Sequence, residues 1–156
     1  MRGRASAVAA LVTIALALAG CASTPDGTGL AGSIVGKDDT GLPDYPVGDG
    51  WIVAAPAGKA ATMWAGEDVP ADITDYAHLG FDLLDADIAA ADAVRAPVTS
   101  NGQFRLDAPP GPSVVCWVLP VADGPPRSRG CTEIDLPAQG RLKGSWGEGG
   151  FFVEVA

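Results

Sequence analysis

The 156-residue sequence has few of the side chains on which catalytic and nucleic-acid-binding sites depend. It contains a single histidine, His78, and 10 basic residues against 19 acidic ones, which gives a net charge of −9. Because binding to a phosphate backbone depends on clustered Lys and Arg, this balance disfavours nucleic acid as a partner. A zinc site takes three or four His, Cys, Asp or Glu ligands, so one histidine argues against a metal site. We expect no cofactor.

The length allows one domain and excludes a multi-domain enzyme. Gly 21 and Pro 13 are high counts for a helical protein, although they stay below the level that marks a low-complexity chain. Short apolar runs separated by these residues are typical of strands and turns.

Long apolar runs are also lacking, and the one candidate lies at the start of the chain. Ala7–Ala19 is shorter than the roughly 20 apolar residues that span a bilayer, and it follows Arg2 and Arg4. A basic start before a short apolar stretch is typical of a secretory signal peptide, which we assign to residues 1–20.

The residues at the end of this stretch resemble a known sequence motif. Leu18-Ala19-Gly20-Cys21 resembles the lipobox of bacterial lipoproteins, in which a peptidase cuts before the cysteine. The resemblance implies that Cys21 begins the mature chain, carries acyl chains, and anchors the protein to the extracytoplasmic face of the cell membrane. The alternatives are an ordinary signal peptide with a chance cysteine, or an uncleaved anchor. Without Arg2 and Arg4, 8 basic residues face 19 acidic ones, a net charge of −11.

If Cys21 is lipidated, Cys116 and Cys131 remain as a pair in an oxidising compartment, where disulfides persist. The midpoint between them falls in a turn signal, Ala122–Pro126, which favours a disulfide across a long hairpin. That register also sets apolar Val114 opposite charged Glu133, an unfavourable pair. Metal ligation and redox chemistry are the alternatives, and the spacing supports neither.

The mature chain is predicted to be a polar tether, residues 21–29, and a β domain, residues 30–156. Val114–Val121 is apolar on both faces, as expected of a strand covered on both sides. The other predicted strands are Ser33–Lys37, Trp51–Ala55, Gln103–Asp107, Thr132–Leu136 and Phe151–Val155.

A segment of about residues 71–96 follows helical spacing and predicts a helical insert. Asp72 and Asp85 are the expected caps, with Asp75 in the capping-box position of the first, and Gly80 ends the first turn. The second helix is expected over Ala86–Arg95. One face of the insert would carry Phe81, Leu84, Ile88 and Ala91.

Two motifs carry a second resemblance. Thr99-Ser100-Asn101-Gly102-Gln103-Phe104 and Pro109-Pro110-Gly111 resemble the "T-D-x-x-G-x-F" and "P-P-G" turns of carboxypeptidase regulatory-like domains. That resemblance implies a prealbumin-like (Ig-like) antiparallel β-sandwich and carries no peptidase activity with it. Gly102 would permit a tight hairpin turn and Phe104 would enter the core. The segment Gly32–Gly41 is similar, more loosely, to the family's opening strand and turn.

The remaining candidates concern binding. Trp51 and Trp117 lie in strands and are expected in the core, whereas Trp64 and Trp146 lie in glycine-flanked loops and are candidates for carbohydrate or small-molecule binding. Acid-rich stretches allow calcium, but turns and helix caps favour Asp for their own reasons. They comprise Asp82, Asp85, Asp87 and Asp92 on the insert and Asp38, Asp39, Asp44 and Asp49 near the first turn.

These features predict a non-catalytic, lipid-anchored cell-envelope protein. We expect it to serve as an interaction or structural module whose partners are the membrane and another envelope protein. The alternative is a carbohydrate or small-molecule binding module. A hydrolase is the least favoured class, because His78 lacks triad partners in the sequence and no nucleophile-elbow motif is complete.

Overall fold

Nine strands and two short helices make up the secondary structure in the computed structural model, which describes residues 27–38, 40–69 and 75–156. The strands are β1 Leu30–Gly36, β2 Tyr45–Pro46, β3 Trp51–Pro56, β4 Val94–Pro97, β5 Gln103–Leu106, β6 Gly111–Val121, β7 Gly124–Leu136, β8 Arg141–Gly147 and β9 Gly150–Val155. The helices are a 3₁₀ helix, Ala60–Trp64, and α1, Asp85–Ala90.

The strands form two sheets. In the first, sheet A, β1 pairs with β8 in parallel, and β8 pairs with β9 as an antiparallel hairpin. The other side of β1 is shared, because β5 pairs with its first half and β2 with its second half. In sheet B the strand order is β4-β3-β6-β7, and every pair is antiparallel. The architecture is a β-sandwich, as the sequence predicts, and the parallel β1–β8 pair departs from the predicted antiparallel arrangement.

The main core lies between the sheets and is built from the inward side chains of alternating strands. Phe104 on β5 lies opposite Gly32 on β1 and is fully buried. A Cβ atom on Gly32 would lie 2.1 Å from the Phe104 ring, so the glycine is what admits the aromatic side chain. The predicted core position of Phe104 is confirmed.

Sheet B is covered on its outer face as well. Val115 and Trp117 of β6 belong to the core between the sheets, whereas Val114, Cys116 and Val118 belong to a second core. The second core is closed by buried side chains from the 3₁₀ helix and residues 79–91: Ala60, Met63, Trp64, Leu79, Phe81, Leu83 and Ala91. The expectation that β6 is buried on both faces is therefore confirmed.

Part of the edge of β7 is covered by a strap, residues 76–83, that hydrogen-bonds to it without forming a regular strand. The N–H of Cys131 donates to the carbonyl of Tyr76 at 2.7 Å, and the N–H of Ser128 donates to that of Phe81 at 2.8 Å. The N–H of Leu83 donates to the Pro126 carbonyl at 2.8 Å. An exposed edge on this 13-residue strand would be a template for aggregation, and the strap covers it between Pro126 and Cys131.

The predicted helical insert needs correction. Helix α1 ends at Ala90, and Val94–Pro97 is strand β4, so the expected helix over Ala86–Arg95 is too long. The N-cap is Leu84 and not Asp85, and residues 75–80 contain no helix. Leu84 is exposed while Leu83 is buried, because the strap places side chains with strand-like alternation before α1 begins. Asp72 lies outside the described residues.

The turn at Gly102 joins the two sheets and is not a hairpin, because β4 belongs to sheet B and β5 to sheet A. Gly102 has φ of 76°, and its N–H donates to the carbonyl of Thr99 at 2.8 Å. A Cβ atom there would lie 2.4 Å from the carbonyl oxygen of Ile34. The requirement for glycine is confirmed, and the turn is a corner between sheets.

Residues 1–26 lie outside the described part of the chain, and with them lie the predicted signal peptide, Cys21 and most of the tether. The first strand begins at Leu30, where the β domain was predicted to begin. Over the described residues, no helix has the length and apolar character needed to cross a bilayer.

Candidate functional site

The outward face of sheet A carries a concave surface that no other layer of the described chain covers. It forms an open groove of about 790 Å³, which we call the sheet A groove. Residues of β1, β8 and β9 and the loop before β2 line it: Ser33, Val35, Lys37, Asp44, Lys143, Gly144, Ser145, Phe152, Val153 and Glu154.

Strand register arranges the floor of the groove in two rows. Ser33 of β1 lies beside Lys143 of β8, which lies beside Glu154 of β9. In the next row, Val35, Ser145 and Phe152 occupy the same three strands. Because successive side chains of a strand point to opposite faces, all six of these residues project away from the core.

The formal charges of the groove cancel. Lys37 Nζ lies 2.5 Å from Asp44 Oδ2, and Lys143 is the cross-strand neighbour of Glu154. Two cations and two anions therefore line a groove within a chain of net charge −9. Its electrostatic character is neutral and polar, with donors and acceptors side by side.

Phe152 supplies the one aromatic ring among the groove residues and is 49% exposed. Its neighbour Phe151 is fully buried in the core, because the two side chains lie on opposite faces of β9. About half of the Phe152 side chain is exposed to solvent, and that part of the ring is available as an apolar surface for a ligand.

The two tryptophans proposed from the sequence do not form a binding surface. Trp64 is 7% exposed and packs against Phe81 and Tyr76, with ring centroids 5.2 Å and 5.9 Å away. The expectation of an exposed Trp64 is wrong, because the 3₁₀ helix turns this side chain into the second core. Trp146 is half-buried in the other core, against Trp117. Trp64 and Trp146 therefore pack in two separate cores and do not contact a common surface.

Cys116 and Cys131 form the predicted disulfide, directly opposite each other in the β6–β7 hairpin. Both residues are buried beneath the strap. The register does set Val114 opposite Glu133, and the pair is accommodated because Glu133 is exposed on β7 past the last strap bond at Cys131. The disulfide locks the longest hairpin of the domain.

The aspartates of the insert are each engaged locally and do not converge on one site. Three pair with cations, Asp82 with Arg127, Asp85 with Arg95 and Asp92 with Lys59, and Asp87 accepts the N–H of Leu84. Exposed ion pairs of this kind contribute about 0–1 kcal/mol each. These carboxylates act as caps and surface pairs.

Acids near the first turn behave similarly. Asp38 accepts hydrogen bonds from the hydroxyl and the N–H of Thr40, and these bonds hold the pKa of Asp38 below its ordinary value of 3.8. The stabilisation they supply is present above that value and is lost as the pH falls through the lowered pKa. Asp44 pairs with Lys37, and Asp49 accepts the N–H of Gly50. Asp39 lies outside the described residues.

His78 is an exposed residue whose Nε2 hydrogen-bonds to the carbonyl oxygen of Glu148 at 2.9 Å. No carboxylate or hydroxyl partner for it is present in the described chain, and the contact ties the strap to the β8–β9 turn. Within residues 27–38, 40–69 and 75–156, no three His, Cys, Asp or Glu side chains are grouped to hold a metal ion.

Comparison with known proteins adds no assignment: no family profile, curated protein or solved structure matches this chain.

The sequence analysis does not predict the sheet A groove. One indication of the groove is present in the sequence of β9, where Phe151, Val153 and Val155 alternate with Phe152 and Glu154. This alternation places an aromatic and an acidic side chain on the outer face of the strand. The partners on β8 could not be found, because that strand was not predicted.

Proposed function

We propose that this protein is a non-catalytic, lipid-anchored module of the cell envelope, held at the extracytoplasmic face of the membrane through Cys21. The observation that carries the proposal is the buried disulfide Cys116–Cys131, since such bonds persist in oxidising compartments outside the cytoplasm. It leaves Cys21 as the single remaining cysteine, within a segment that resembles a lipobox.

The way in which the described polar groups are used supports a role without catalysis. The aspartates of the insert pair with cations or cap α1, and His78 bonds to a backbone carbonyl. A general acid or base pair would need converging groups whose pKa values are shifted by burial or by like charge. The lowered pKa of exposed Asp38 arises from hydrogen bonds to Thr40 within a turn.

We also propose which type of β-sandwich the domain is. A prealbumin-like β-sandwich of the carboxypeptidase regulatory-like type is supported by two features. The first is the Thr99–Phe104 corner with its positive-φ glycine, and the second is the opening strand that ends in the Asp38–Gly41 turn. Domains of that type serve cohesion or recognition, which agrees with an interaction or structural module.

Membrane attachment is tested by fractionating cells that express the wild-type chain or Cys21→Ser. We expect the wild type to sediment with membranes and to be released by detergent, whereas Cys21→Ser leaves the membrane fraction, because the acyl chains supply the anchor. Ala22→Ser, one residue beyond the modified thiol, serves as the matched control and should sediment as the wild type does. An unchanged membrane fraction for Cys21→Ser molecules from which residues 1–20 have been removed would contradict the anchor.

A further inference from the structure

We propose that the sheet A groove binds a neutral carbohydrate chain, with Phe152 as the ring on which a sugar packs. The inference is independent of the modification at Cys21, because every residue in it belongs to the folded domain. It assigns carbohydrate binding to residues other than Trp64 and Trp146, which are taken up by the two cores.

Charge complementarity selects the class of ligand. The groove carries Lys37 and Lys143 against Asp44 and Glu154, so an anionic or cationic ligand would meet a like charge beside every opposite one. A neutral polyhydroxylated ligand meets no such repulsion. Each hydroxyl can donate to a carboxylate and accept from an ammonium group, and charge-assisted hydrogen bonds are the stronger kind.

The remaining groove residues match the same ligand. Ser145 places a hydroxyl in the middle of its row and Ser33 places one at the β1 end of the other row, and each hydroxyl donates and accepts. Phe152 and Val35 lie at the ends of one row and supply apolar surface against which the C–H face of a sugar ring can pack. The groove therefore offers donors and acceptors to hydroxyl groups and a small apolar surface to the C–H face of a sugar ring.

The groove is accessible when the chain is tethered. β1 leaves the tether at Leu30, and Val35 lies five residues further along it, about 17 Å at the rise of a strand. An open groove of about 790 Å³ can take several sugar units laid across the strands, as an extended chain requires.

Binding is measured by saturation-transfer-difference NMR on the full-length protein in a zwitterionic detergent, since glycosidic detergents would compete. The probes are maltohexaose, cellohexaose, mannohexaose and chitohexaose, each uncharged, with hexagalacturonate as the charged comparison. We expect signal transfer to at least one neutral probe and weaker transfer to the uronate. The transfer should persist between about 50 mM and about 500 mM salt, because no net charge drives it.

The matched variants are Phe152→Ala and Leu84→Ala, which remove similarly exposed apolar side chains from opposite sides of the molecule. Phe152→Ala should weaken binding about tenfold, and Leu84→Ala should leave it unchanged. Both residues are exposed, so each variant is expected to fold, which circular dichroism checks. The proposal is overturned if no neutral probe shows transfer, if binding is lost in high salt, or if Phe152→Ala binds as the wild type does.

Discussion

At the residue scale, two glycines allow close packing that any larger residue would block. Gly32 leaves the space in β1 that the ring of Phe104 fills from β5, and Gly102 brings the corner backbone against the Ile34 carbonyl. Both aromatic insertion and close backbone approach need the absence of a Cβ atom. The motif that resembles carboxypeptidase regulatory-like domains therefore has a packing explanation that holds whatever the protein's ancestry.

Gly32→Ala should destabilise the domain by about 1–3 kcal/mol, because the added methyl group would overlap the buried Phe104 ring and force the core to shift. The free energy of unfolding in urea measures the effect. Gly58→Ala is the control, since a Cβ atom there meets nothing within 4 Å. Equal stability of the two variants would show that the core does not depend on this fit.

At the scale of elements, the strap and the disulfide act on the same strand. The strap satisfies the free backbone groups of β7 between Pro126 and Cys131, and the disulfide fixes β7 to β6 at the last of these positions. Together they protect this part of the edge without a further regular strand, and residues 132–136 of β7 lie beyond the strap. Side chains from the strap then close the second core over the disulfide.

Two adjacent leucines test this arrangement. Leu83 is 2% exposed and Leu84 is 52% exposed, so the same substitution removes a core contact at one position and a surface group at the other. Leu83→Ala should cost about 2–5 kcal/mol in thermal or urea unfolding, and Leu84→Ala should stay within about 0.5 kcal/mol of the wild type. The reverse order would restore the helical face predicted from the sequence and contradict the strap.

The strands most strongly patterned in sequence were predictable, and the insert was not. β6 reads as apolar on both faces because it is covered on both, and β5 and β9 alternate because one face is solvated. Residues 75–84 have helical spacing but follow β7, since hydrogen bonds to that edge override a weak local preference. β8 escaped prediction because Gly144 occupies an inward position between Leu142 and Trp146 and interrupts its apolar alternation.

At the scale of the whole molecule, the charge is unevenly distributed. The chain is strongly acidic, yet the sheet A groove is balanced, and three of the four insert aspartates are paired with cations on the other side of the sandwich. The sequence alone could reveal the net charge but not this distribution, because the lysines and acids of the groove come from separate strands and a loop.

The proposed location at the cell envelope has two chemical markers. One is the proposed lipid at Cys21, and the other is the disulfide between Cys116 and Cys131. Intact-mass spectrometry of the protein purified from its native membrane, with and without reductant, reads both modifications at once. We expect a mature chain that begins at Cys21 and bears acyl chains, and a gain of two hydrogen atoms on reduction. A mass that includes residues 1–20, or one that shows an unmodified Cys21, would contradict the assignment to the cell envelope.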